Sequence, residues 1–337
     1  MDLTLIIPTH ERQYLIPRFV EYYSDFPCKK IIVDSSKDAI LSSFPDFEYK
    51  HLPGFSFAEK ILEGLYVTET EFVILSPDDD FLSFSAICEG IKFLKNNPNF
   101  SLVHGFYSVF YKDEKDIFRY FCKNFHYDCS VKYIDPISRL NYGMINYSNI
   151  LYSLTKKNIL LESVNQVSHF KEPTPVEISF FIVACICGFL GSVEKLWMYR
   201  DSRRYTVYCD EHGGNYFQNS ISLADNNDHV TPVIVDFKNV LNSELGLIWA
   251  GKLQAFASKI IPEKPVDANL LGNAFDSYFN FLEKYQSGKL FLQSGGGFKN
   301  KFFNLFDKIL WRLFGYKRNE CFDDWKRIKS ILIRSGY

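Results

Sequence analysis

Short apolar runs, each stopping abruptly at polar residues, punctuate the first hundred positions of this 337-residue chain. Leu3-Thr4-Leu5-Ile6-Ile7 stops at Pro8. Lys30-Ile31-Ile32-Val33 stops at Asp34-Ser35-Ser36, and Phe72-Val73-Ile74-Leu75 runs straight into Ser76-Pro77-Asp78-Asp79-Asp80. Unbroken apolar runs of this length read as strands covered on both faces. A weaker strand spans residues 48–52, and 101–111 is strand-like. Between them, apolar residues recur at helical spacing over about 13–24, 57–67 (Phe57, Ile61, Leu62, Leu65) and 83–94. Strands alternating with helices predict an α/β fold with a mostly parallel sheet and helices on both faces.

Ligands of open α/β sheets bind beyond the carboxyl ends of the strands. Three polar clusters fall at such ends: Thr9-His10-Glu11-Arg12, Asp34-Ser35-Ser36 and Asp78-Asp79-Asp80. The topology therefore brings together residues far apart in sequence.

From about 135 to 202 the pattern turns more helical. Residues 176–190 read as a buried helix, introduced by Lys171-Glu172-Pro173-Thr174-Pro175, and 193–199 as a strand leading into Arg200-Asp201-Ser202-Arg203-Arg204. The uncharged stretch Ile178 to Val193 is too short to span a bilayer comfortably and fits a buried helix better. Beyond about 205 the chain reads as loops and helices. The expected division is a catalytic domain over 1–210 and a mainly helical region over 211–337. Within the latter, Phe302, Leu305, Phe306, Ile309, Leu310 and Leu313 share a helical face among Lys299, Lys301, Lys308, Arg312, Lys317 and Arg318. Such a helix can lie on an anionic membrane surface, and the same periodicity fits a helix packed on its own domain.

A formal net charge of -2 argues against a protein that coats nucleic acid. The eight cysteines are scattered with no C-x-x-C pair, so reduced thiols are expected rather than a zinc site or disulfide framework, with Cys185 and Cys187 in the core. No secretory signal is visible, so the expected location is cytoplasmic, with peripheral contact to the inner face of the cell membrane.

Three adjacent carboxylates repel one another unless something offsets their charge. Mg²⁺ and Mn²⁺ do so, taking oxygen ligands from one or two carboxylates together with substrate phosphates. Asp78 and Asp80, one residue apart after a buried strand, can face the same ion. A solvated acidic turn or a helix N-cap is the alternative reading. Arg200, Arg203 and Arg204 suit phosphate oxygens, Arg200 foremost, and His212 could add a metal or phosphate contact.

Strand, Pro8-Thr9-His10-Glu11-Arg12 and helix in that order resemble the start of family 2 glycosyltransferases of the GT-A fold. Lys30-Ile31-Ile32-Val33-Asp34 is similar to that family's second strand, and Phe72 to Phe81 to its metal-binding D-x-D strand end, in the Asp-Asp-Asp-Phe form of a bacterial subgroup associated with surface polysaccharides. The resemblance spans roughly 1–205 and implies a Rossmann-like GT-A domain. It implies that Pro8, Thr9, Glu11 and Arg12 line a nucleotide pocket, with Asp34 near the uracil and Lys60 at the base or phosphate. Asp78 would sit near the ribose or the metal, Asp79 would help bind the nucleotide-sugar, and Asp80 would be the main metal ligand. The family's catalytic base starts a helix near the acceptor, often as Glu-Asp. Here Glu177 or Glu172 would serve, and Ile178 after Glu177 departs from the pattern. The implied activity is inverting transfer of a sugar from a UDP-sugar to a growing glycan, free or lipid-linked, with Mn²⁺ or Mg²⁺. A sugar nucleotidyltransferase is the first rival, disfavoured because residues 8–12 lack a phosphate-loop glycine. A non-catalytic glycan-binding scaffold is the second.

Overall fold

Along the first strands nearly every residue is buried, and successive side chains alternate between the two faces of the sheet. The computed structural model of the protein describes residues 1–40, 42, 44–112, 117–121, 133–145, 150–201, 243–262, 276 and 318–335. In β1 (Leu3–Thr9), Leu3, Leu5 and Ile7 join one apolar cluster and Ile6 the other. The same period of two sends Ile31 and Val33 of β2 (Lys29–Asp34) to one side and Ile32 to the other. It likewise separates Val73 and Leu75 of β4 (Phe72–Leu75) from Phe72 and Ile74.

The described strands form one mixed sheet. β3 (Glu48–His51), β2, β1 and β4 lie side by side and parallel, with Ile6 opposite Ile31 and Leu75. The sheet continues antiparallel through β8 (Leu154–Lys156) to β6 (Phe100–Lys112). β6 runs parallel to β9 (Phe189–Asp201) and antiparallel to β7 (Ile117–Phe121), and β9 pairs antiparallel with β5 (Phe81–Leu82). The parallel block is the one expected from alternating strands and helices. The short strands β5, β7 and β8 were not expected.

Helices cover both faces. On one side lie α2 (Phe57–Tyr66), α4 (Pro136–Ile145), α5 (Lys157–Gln166), α6 (Thr174–Cys187) and α7 (Glu244–Ile260). On the other lie α1 (Ile16–Tyr23), α3 (Phe84–Asn96) and α8 (Arg318–Arg334). α2 begins at a reciprocal cap: Ser56 Oγ accepts from the Glu59 N–H while Glu59 accepts from the Ser56 N–H. α6 is buried almost all round, and two prolines set its start.

Three expectations are corrected here. The apolar helix ends at Cys187 rather than Leu190, and the following strand starts at Phe189 rather than Val193. A β-carbon at Gly188 would lie 2.5 Å from the Asn99 carbonyl oxygen, which itself accepts the Phe189 N–H at 2.9 Å. The chain must turn into β9 there, and apolar composition alone carries no mark of the change from helix to strand. Cys185 is buried as expected, but Cys187 is exposed because it sits on the helix's last turn.

The end of the chain packs on the sheet domain. Trp325, Ile328, Ile331 and Leu332 of α8 are buried in the cluster with α1 and α3, and Trp325 stacks on Tyr199 at 6.0 Å between ring centroids. Asp324 accepts from Ser83 Oγ at 2.6 Å, and Arg327 pairs with Asp25 at 2.9 Å. The basic aromatic stretch from Lys299 to Lys317 lies outside the described residues. Among the described residues no helix is long and apolar enough to cross a membrane.

Candidate functional site

Pro8 and Thr9 end β1, Asp78-Asp79-Asp80 follows β4, and Arg200-Asp201 ends β9. All of them line one pocket of about 330 Å³ with Lys60 of α2 and Glu177 of α6. That volume is in the range of small-ligand sites. Of the residues expected from sequence, Pro8, Thr9, Arg12, Lys60, Asp78, Asp79, Asp80, Glu177 and Arg200 line it. Glu11, Asp34 and Glu172 are not among the lining residues, and His212, Arg203 and Arg204 lie outside the described ones.

The carboxylates are held by named partners. Thr9 Oγ1 donates to Asp78 Oδ2 at 2.8 Å. One guanidinium nitrogen of Arg12, Nη1, donates to Asp78 Oδ1 at 2.9 Å and to Asp79 Oδ2 at 3.0 Å. Asp80 Oδ1 accepts the Asp201 backbone N–H at 2.8 Å, and Arg200 Nε stands 3.4 Å from Asp80 Oδ2. Cations of the protein itself therefore supply part of the compensation that the sequence argument assigned to a metal.

That compensation is incomplete at Asp80. Burial, followed by the charge of Asp79, pushes its carboxyl well above the usual range despite Arg200 and the Asp201 N–H. An added cation would lower the cost of that buried charge. Among the described residues no group of three His, Cys, Asp or Glu side chains is arranged to cage an ion. Mg²⁺ often binds only one or two carboxylates and completes its shell with water and phosphate oxygens. On donor chemistry the aspartates fit a divalent cation bound jointly with an anionic ligand.

Lys60 is buried, and its Nζ donates to the Thr9 carbonyl at 2.7 Å and to Ser35 Oγ at 3.1 Å. Burial lowers its pKa to about 8, against the attraction of Asp78 and Asp34. Asp34 is fully buried. Its Oδ1 accepts from the Ser36 N–H at 2.8 Å and from Ser36 Oγ at 2.5 Å, and its Oδ2 accepts from Tyr49 at 2.8 Å. This carboxylate fixes the loop after β2 from within. Glu11 also braces loops. Its N–H donates to Ser36 Oγ, its Oε1 accepts the Lys37 N–H, and it occupies the left-handed region at φ 51°. A non-glycine residue in that region is uncommon and costs energy that these contacts offset.

Other lining residues were not singled out from sequence: His10, Phe55, Phe57, Leu151, Tyr152, Lys171, Pro173 and Asp201. Phe55 and Phe57 flank the α2 cap, and His10 Nδ1 lies 3.1 Å from both the carbonyl and the hydroxyl oxygen of Ser35. Burial raises the Tyr152 hydroxyl well above its ordinary pKa, with Asp79, Asp80 and Glu177 adding to the rise and Arg200 opposing it. It therefore remains a neutral donor among those carboxylates. His10 and Asp201 stand within clusters named from sequence, Thr9-His10-Glu11-Arg12 and Arg200-Asp201-Ser202-Arg203-Arg204, but were given no role there. Leu151 and Tyr152 carry no sequence signal, because they sit in a turn between elements.

No protein-family model and no curated protein matches this chain. Among solved structures, it is similar to residues 1–349 of S. aureus TarS, with 13% identity, 86% of this chain and 92% of that chain covered, and a TM-score of 0.43. The same fragment in complex with UDP-GlcNAc matches at 14% identity over 86% and 92%, with a TM-score of 0.44. Bifunctional IspDF from Campylobacter jejuni matches at 13% identity over 58% and 50%, with a TM-score of 0.33.

Proposed function

We propose that the pocket binds a nucleoside diphosphate sugar, with uridine as the nucleoside, and transfers the sugar to a hydroxyl of a growing surface glycan, free or lipid-linked, with inversion. The observation that carries this reading is the charge layout. Three carboxylates after β4 share one pocket with Arg12, Lys60, Lys171 and Arg200. A diphosphate requires cationic contacts, and a divalent ion bound with it requires carboxylates.

Within this reading Arg12 and Arg200 orient the diphosphate, and Lys60, which holds the loops after β1 and β2, lines the pocket as a third cationic contact to it. Mn²⁺ or Mg²⁺, held by Asp80 with Asp78, would offset charge on the departing diphosphate. The bond between the sugar's anomeric carbon and the diphosphate oxygen breaks, and its electron pair leaves with the nucleotide. The acceptor oxygen attacks from the opposite face, and its proton passes to the Glu177 carboxylate. Glu177 takes this role in preference to Glu172 because it lies in the first turn of α6 and lines the pocket.

The test is a panel of nucleoside diphosphate sugars with Mn²⁺, with release of free nucleoside diphosphate measured with and without glycan acceptors. A uridine donor is expected to be consumed. Glu177→Gln is expected to lower turnover by about 100-fold or more while leaving donor affinity nearly unchanged. Pyrophosphate release from a nucleoside triphosphate would instead establish a nucleotidyltransferase.

A further inference from the structure

Arg18 stands on α1, beneath the carboxylate cluster and outside the pocket lining, with 4% of its surface exposed. Its Nη2 donates to the Asp79 carbonyl oxygen at 2.8 Å and faces Asp201 Oδ2 at 3.7 Å. Its guanidinium carbon lies 5.6 Å from the centre of the Phe81 ring. The Asp79 carbonyl belongs to the peptide that carries the Asp80 nitrogen. The other end of the contact, Asp201, donates its backbone N–H to Asp80 Oδ1 at 2.8 Å. One buried guanidinium thus grips Asp80 from both directions: through the peptide that precedes it and through the strand end that hydrogen-bonds its carboxylate.

Two tyrosines of the same helix extend the grip. Tyr22 donates its hydroxyl to the Leu82 carbonyl at 2.9 Å, and the Tyr23 hydroxyl accepts the Leu82 N–H at 2.8 Å. The segment from Asp79 to Leu82 is therefore tied to α1 by Arg18, Tyr22 and Tyr23, three of the buried side chains of that helix.

A buried ion pair is a weak device for stability, since apolar groups of similar volume often serve as well or better. Its fixed geometry is what an apolar replacement would not reproduce. We propose that Arg18 is a positioning residue, holding Asp80 in the orientation that receives the divalent cation together with the donor diphosphate. This rests on the donor reading given above. Groups that orient a metal-binding side chain commonly change metal affinity by about 10- to 100-fold when removed.

The test uses the 337-residue chain carrying Arg18→Met, and Arg18→Met with Asp201→Asn, which also neutralises the carboxylate that Arg18 faces. Hydrogen–deuterium exchange is read at the amides of residues 78–82, and UDP affinity is measured with and without Mn²⁺. Exchange at 78–82 is expected to quicken by about tenfold or more while the amides of β1 and β2 stay as in wild type. The gain in UDP affinity on adding Mn²⁺ is expected to shrink by about 10- to 100-fold in Arg18→Met, with the metal-free affinity of that single variant unchanged. Arg18→Lys, which keeps the charge and one donor, is expected to fall between Arg18→Met and wild type. Wild-type exchange at 78–82, or a uniform rise across the whole sheet, would overturn the proposal. If wild type gains no UDP affinity from Mn²⁺, the metal-assisted donor reading fails, and the exchange arm still decides whether Arg18 orders the aspartate segment.

Discussion

Neutralising Lys60 tests whether the pocket's cationic side meets an anionic ligand. Burial displaces this amine from an ordinary value near 10.5 to about 8, which corresponds to about 3 kcal/mol against the charged form. Below pH 8 both folded and unfolded chains hold the proton, and the folded protein bears that cost in full. Between pH 8 and 10.5 the folded protein releases the proton first, so the cost is relieved as pH rises. A diphosphate beside the amine favours the ammonium and draws the pKa back up, so binding above pH 8 must take up a proton. Wild-type affinity for UDP without added metal, which leaves the Asp80 proton out of the comparison, is therefore expected to hold from pH 6.5 to 8 and then fall, approaching about tenfold per pH unit. Lys60→Met removes a charge-assisted contact and is expected to bind about 10- to 100-fold more weakly at pH 7. Its profile should lack the decline above pH 8. Titration calorimetry in buffers of different ionisation enthalpy measures both affinity and proton uptake. A wild-type profile parallel to that of Lys60→Met, with no proton uptake near pH 9, would refute the reasoning.

Two further predictions concern the frame that holds the site. Trp325→Ala removes the ring stacked on Tyr199, next to Arg200, and should cost about 3–5 kcal/mol in chemical denaturation. A loss under about 1 kcal/mol would mean that α8 contributes little to this face of the sheet. Gly188→Ala places a β-carbon 2.5 Å from the Asn99 carbonyl oxygen and should destabilise by about 1–3 kcal/mol, read from the denaturation midpoint. An unchanged midpoint would show that the turn from α6 into β9 has room to relax.

The parallel half of the sheet was legible because β1, β2 and β4 are short apolar runs that end in polar residues at the carboxyl side, whereas the polar β3 gave only a weak strand signal. That same punctuation marked Thr9, Arg12 and the three aspartates, which line one pocket. β5 and β8 escaped because strands of two and three residues carry no period of their own. Arg18 escaped for another reason. A charged residue in an amphipathic helix reads as solvent-facing, and only the folded chain reveals the carbonyl and carboxylate it meets. Asp34 was legible as a polar strand end, yet the sequence gives no sign that Ser36 and Tyr49 occupy its oxygens. The apolar content of residues 178–193 concealed the switch from helix to strand, because both elements are largely buried there and nothing in the sequence ranks Gly188 above Gly191 as the break.

The most direct test of the donor reading is calorimetric titration of UDP into the full-length protein with and without Mn²⁺, for wild type and Asp80→Ala. The account predicts binding that strengthens markedly with Mn²⁺ in wild type, and loss of that gain in Asp80→Ala. No binding to wild type under any metal condition would contradict it, as would metal-dependent binding that survives intact in Asp80→Ala.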